Sequence, residues 1–75
     1  MKIQKYVLKN RVREERLKLG LTQQELANEI GVSRNTINTI EHGDVDMRLP
    51  LAMKLCLFFK KPYKEMFRME RKNEL

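Results

Sequence analysis

LTQQELANEIGVSRNTINTIEHG, residues Leu21–Gly43, reads as two short amphipathic helices joined by a turn at Gly31. In the first, Leu26, Ala27 and Ile30 fall at i, i+1 and i+4, which leaves one apolar stripe while Gln24, Asn28 and Glu29 face water. Thr22 can accept a hydrogen bond from the backbone N–H of Glu25, and the Glu25 carboxylate can reach back to the N–H of Thr22, so the helix start carries a reciprocal capping box. Gly31 tolerates the left-handed backbone that ends a helix and turns the chain sharply. Ser33 then caps the second helix.

On that second helix Ile37, Ile40 and Glu41 project to one side, and Asn35, Asn38, Thr39 and His42 to the other. The outward face is almost all amide and hydroxyl. A merely solvated face usually carries Glu and Lys, whereas short amides and hydroxyls near a helix N-terminus suit the reading of base edges in a major groove. The pair of helices looks like a helix-turn-helix.

Composition narrows the rest. A chain of 75 residues is at most one domain with a small shared core, and it has room for four or five helices. The single cysteine, Cys56, cannot close an intramolecular disulfide, and one Cys with one His makes no structural zinc site. A metal-free cytoplasmic protein without cofactor is therefore expected. No apolar run approaches a membrane span, and the N-terminus lacks a signal-peptide core. The net charge of +6 favours a polyanionic partner, but the charge is uneven. Residues 1–20 carry seven basic and two acidic side chains, whereas residues 21–43 set Arg34 against Glu25, Glu29 and Glu41. Basicity alone does not locate a site.

Outward from the motif, Met1 to Leu8 places Ile3, Tyr6, Val7 and Leu8 among Lys2, Gln4 and Lys5, a pattern too short to separate strand, helix extension and flexible arm. Residues 1–9 are taken as a basic N-terminal arm or helix extension. From Lys9 to Leu19 a helix is expected, stopped by Gly20 and striped by Leu8, Val12 and Leu19. Arg16 falls within that stripe, as Glu41 falls beside Ile37, and two opposite charges on inward faces call for partners. Past the acidic run at Asp44 and Asp46, Pro50 suits the first turn of a helix through Phe59, with Ala52, Met53, Cys56 and Phe59 on its core face. Cys56 reads as a small core residue rather than a reactive thiol. Tyr63 to Phe67 is expected to form a last short helix whose Met66 and Phe67 close the core, and residues 68–75 a charged tail that frays.

With Gln23, Leu26, Ala27, Ile30, Gly31, Val32, Ile37, Ile40, Glu41 and Gly43 at these spacings, residues 10–67 resemble the Cro and phage-repressor (Xre-like) helix-turn-helix family. The resemblance implies an all-α, compact five-helix lambda-repressor-like DNA-binding domain. It implies that Arg16 pairs with Glu41, that Thr22, Gln23 and His42 lie near phosphates, and that Ser33, Arg34, Asn35, Asn38 and Thr39 line the major groove. Near Lys60, where the family commonly has glycine, the chain departs from the pattern. The acidic loop at Asp44 and Asp46 departs from it as well.

Together these readings describe a sequence-specific regulator of transcription that binds double-stranded DNA, a repressor working as a homodimer and not an enzyme. Lys9, Arg11 and Arg13 are its further phosphate-binding candidates. Leu57, Phe58, Tyr63, Met66 and Met69 are candidates for the dimer interface. Two rival readings share the motif: an antitoxin that masks a toxin partner, and the controller protein of a restriction-modification system.

Overall fold

Five helices and a two-stranded sheet make up the described residues, 4–43 and 47–73, of the computed structural model. In chain order they are β1 (Gln4–Asn10), α1 (Val12–Lys18), α2 (Gln23–Ile30), α3 (Arg34–His42), α4 (Leu49–Phe59), α5 (Tyr63–Met66) and β2 (Phe67–Asn73). The domain is mostly helical but not all-α. Residues 4–10, read from sequence as an arm or helix extension, are a strand. Most of the supposed fraying tail is its antiparallel partner, in a register that runs from Gln4 opposite Asn73 to Asn10 opposite Phe67. Residues 1–3 and the acidic positions Asp44 and Asp46 lie outside the described residues.

The strand changes where α1 begins. Asn10 closes β1 with a side chain that works in two directions: its Oδ1 accepts from Val12 N–H at 3.1 Å, and its Nδ2 donates to the Ile40 carbonyl at 2.9 Å. One residue thus starts α1 and ties the ribbon to the last turn of α3. Because α1 starts only at Val12, the stripe expected through Leu19 is cut short. Val12 is fully buried and Leu8 packs on the core edge, whereas Leu19 is 57 % exposed.

The core lies where α1 to α5 converge, and Val12, Leu26, Ile37, Ile40, Leu55 and Met66 are its fully buried large side chains. On α4 the inward face is Ala52, Leu55 and Phe59, at i, i+3 and i+7, and Met53, expected on that face, is 54 % exposed. Cys56 sits half-buried beside the core, and burial pushes its thiol above the ordinary value. A raised thiol pKa leaves little nucleophilic thiolate. Met66, one of the candidate interface residues, is fully buried and belongs to the monomer core. Phe67, expected to end α5, is instead the first residue of β2 and is buried there.

Three helix ends share one device. After α1, α2 and α4 a left-handed residue lets the next N–H return to a carbonyl five positions back: Leu21 to Arg16, Val32 to Ala27 and Lys61 to Cys56, at 3.0 to 3.1 Å. At the second of these the left-handed residue is Gly31, with φ +85°. At the third it is Lys60, with φ +55°, so α4 does end on the usual left-handed turn even without the usual glycine.

Candidate nucleic-acid interface

The two motif helices are oriented by caps and by one buried ion pair. Thr22 Oγ1 accepts from Glu25 N–H at 3.0 Å, and Thr22 N–H donates to Glu25 Oε1 at 2.9 Å. These bonds hold the exposed Glu25 carboxyl below its ordinary value. Ser33 Oγ accepts from Thr36 N–H at 3.1 Å at the start of α3. Ala27, fully buried, lets α2 and α3 approach closely, while Gly31 turns the chain between them.

Beneath α3 the Arg16 guanidinium meets the Glu41 carboxylate along two bonds, Nε to Oε2 at 2.6 Å and Nη2 to Oε1 at 3.1 Å. Its remaining Nη1 donates to the Leu21 carbonyl at 2.7 Å, just before α2. Both side chains are less than a tenth exposed. One guanidinium therefore ties α1 to α3 and to the entry of α2. Burial pushes Glu41 upward, but bonds from Arg16 and Gln23 and the nearby charges of Arg16 and Arg13 outweigh it, so its carboxyl stays below its ordinary value. The bond to Glu41 correspondingly raises Arg16. A bidentate pair with every buried polar atom satisfied is the geometry in which a desolvated charge pair is tolerated.

The network continues outward. Gln23 Nε2 donates to Glu41 Oε1 at 3.1 Å and to Asn38 Oδ1 at 3.2 Å, and Gln23 Oε1 accepts a long bond from Arg34 Nη1 at 3.4 Å. Gln23, an expected phosphate contact, thus spends both amide hydrogens inside the protein. Thr39 donates its hydroxyl hydrogen to the Asn35 carbonyl at 2.8 Å, and Ser33 is engaged in capping and with Thr36 Oγ1 at 2.9 Å. Of the five expected base-reading residues, Arg34, Asn35 and Asn38 keep donors for an external ligand. The Asn35 amide has no hydrogen-bond partner among the described residues.

The expected phosphate contacts divide into two places. Arg13, Gln23, Asn38 and His42 line one open cleft of about 290 Å³ together with the ion pair. Lys9 and Arg11 line a separate groove with Lys64 and Arg68, and Arg11 is already paired with Glu14 at 3.1 Å. Thr22 keeps its hydroxyl hydrogen at the exposed start of α2. His42 Nδ1 lies 2.8 Å from the Asn38 carbonyl, which only accepts, so Nδ1 carries the proton. The neutral ring then presents a bare Nε2, and His42 donates to a phosphate only as imidazolium.

Sequence reasoning missed two residues. Asn10 carries no local signal of its bond to Ile40, which lies 30 residues away in the chain. Glu15 is 6 % exposed and binds Lys18 at 3.2 Å and Lys61 at 3.7 Å, linking α1 to the end of α4. The i, i+3 spacing of Glu15 and Lys18 signals the first contact, whereas the second is long-range.

A helix-turn-helix set on a buried Arg–Glu pair and faced with Arg34, Asn35 and Asn38 defines the class of small helix-turn-helix domains. The chain belongs to the Cro and phage-repressor (Xre-like) helix-turn-helix family: the family's helix-turn-helix model, HTH_3, matches residues 12–66. It is 38 % identical over 66 residues, 88 % of its own length and 100 % of the relative's, to the uncharacterized HTH-type transcriptional regulator YgzD of Bacillus subtilis (strain 168). It is 42 % identical over 60 residues to MJ0272 of Methanocaldococcus jannaschii, an uncharacterized HTH-type transcriptional regulator, covering 80 % of this chain and 91 % of that one. A similar relative from Archaeoglobus fulgidus, bearing the same description, is 40 % identical over 60 residues, 80 % of this chain and 86 % of that one. No helix among the described residues is long and apolar enough to cross a membrane.

Proposed function

We propose that the protein is a transcriptional regulator that binds double-stranded DNA sequence-specifically, in the cytoplasm, as a homodimeric repressor. The observation that carries this reading is the face of α3, where Arg34, Asn35 and Asn38 offer uncommitted donors above a buried ion pair that fixes the helix. Side chains of these types match the hydrogen-bonding edges of purines in a major groove. Thr22 and Arg13, beside that face, suit the flanking phosphates and supply affinity without sequence information.

One domain of this size reads only a few base pairs, so specificity favours two symmetric copies on half-sites about 10–10.5 bp apart. Among the interface candidates, Leu57 and Met69 are 76 % and 60 % exposed. Phe58 and Tyr63 are partly spent on Phe59 and Phe67, with ring centroids 5.1 and 5.2 Å apart. A dimer seated on an operator represses by excluding polymerase. Selection of bound sequences from a pool of random duplexes tests the proposal. Enrichment of a two-fold symmetric motif is expected, and a pool that emerges without any motif would contradict it.

A further inference from the structure

The hydrogen-bond chain from the buried ion pair to the surface of α3 has a direction. Glu41, kept ionised by Arg16, is an acceptor only, and its Oε1 lies 3.1 Å from Gln23 Nε2. Gln23 must therefore turn its NH2 inward, since the flipped amide would set its oxygen against a carboxylate oxygen. The long bond from Arg34 Nη1 to Gln23 Oε1 favours the same orientation. The second hydrogen on Gln23 Nε2 then points at Asn38, 3.2 Å away, and it requires Oδ1 there, because a flipped Asn38 would oppose two donors. Asn38 is left with its oxygen turned to Gln23, one lone pair engaged there, and its NH2 turned away from Gln23.

An asparagine reads adenine by giving a bond to N7 and taking one from N6–H2, which needs both ends of the amide. An amide held with its oxygen toward a neighbour and its NH2 leading suits guanine better, whose N7 and O6 both accept. We propose that Gln23 is a positioning residue: by holding the Asn38 oxygen, it makes this point of α3 select guanine over adenine. Asn35 retains both ends of its amide and keeps the ordinary adenine match. The inference deepens the proposed function and rests on α3 entering the major groove.

Selection from random duplex with the wild-type protein, Asn38→Ala and Gln23→Met tests the relay. Asn38→Ala locates the position by abolishing base preference at one place in each half-site. That place is expected to be guanine for the wild type. In Gln23→Met the freed amide can rotate, so the guanine-to-adenine preference there is expected to fall about tenfold, in line with the discrimination of a single bidentate contact. Guanine-containing and adenine-containing duplexes titrated side by side give the ratio. Adenine at that position in the wild-type motif overturns the relay without any variant having to fold. An unchanged ratio in folded Gln23→Met also overturns it, as does a motif indifferent to Asn38→Ala; all three leave sequence-specific binding intact. A wild-type pool with no motif overturns the proposed function itself, and the relay with it.

Discussion

The helix-turn-helix of α2 and α3 and the terminal ribbon of β1 and β2 hold the same small domain by opposite means. In the motif, side chains do the specifying. Thr22 and Glu25 start one helix, Ser33 starts the next, and Arg16, Glu41 and Gln23 set the angle between them. In the ribbon, backbone pairing joins the two ends of the chain, with Asn10 as the side-chain tie to α3. A lone two-stranded ribbon is marginal in water and depends on what it packs against. The contrast separates the determinants of reading from those of closure: damage to the motif should cost recognition and stability together, and damage to the ribbon mainly stability.

The largest effect is expected at the ion pair. Arg16→Met leaves Glu41 buried without its cation and should cost about 3–5 kcal/mol in urea unfolding. Replacing both partners with apolar residues should recover much of that loss, which a double-mutant cycle would read as strong coupling. The same pair fixes an acid limb. Because folding lowers the Glu41 pKa, its stabilisation is fully present above the unfolded value and is lost as pH falls through the folded one. Stability should therefore drop as pH falls below the ordinary carboxylate range in the wild type, and less steeply in Glu41→Gln.

Ending the chain at Phe67 removes the partner of β1. Taking the lower half of the roughly 0.2–1 kcal/mol range for each of the six cross-strand pairs lost, the cost should be about 1–3 kcal/mol, with the preference for operator over random duplex retained. Loss of that preference in a folded truncated protein would break the proposed division of labour. The smallest effect is expected at Lys60, where a side chain occupies the left-handed turn after α4. Lys60→Gly relieves that conformation against a greater backbone entropy cost, so a gain of about 0.5–1 kcal/mol in unfolding free energy is expected.

What could be read in the sequence follows the same boundary. The capping box, Gly31, Ser33 and the apolar positions of α2 and α3 act within a few residues of where they stand, and the structure places each in that role. The ribbon was illegible because strand pairing is non-local: residues 4–10 show no decisive alternation, and their partners look like a charged tail. Leu19 was misplaced for the same reason, since a stripe drawn through Leu8 assumed that the helix extended over residues now in β1. At the candidate site, residue types were legible and their hydrogen-bonding states were not. The two asparagines of α3 look alike in sequence, yet one amide is without a partner among the described residues and the other is held by Gln23. The phosphate candidates likewise separated only in three dimensions, with Arg13 beside the motif and Lys9 and Arg11 in another groove.

The central claim is that the face of α3 reads sequence while neighbouring cations supply affinity alone. Its most direct test compares Asn35→Ala with Arg13→Ala, each titrated on a selected operator and on random duplex at two salt concentrations. Asn35→Ala should weaken operator binding by about 1–3 kcal/mol and leave random-duplex binding nearly unchanged. Arg13→Ala should weaken both duplexes alike and reduce the salt dependence by about one charge. Equal losses on both duplexes for both variants would contradict the account and describe a non-specific binder instead.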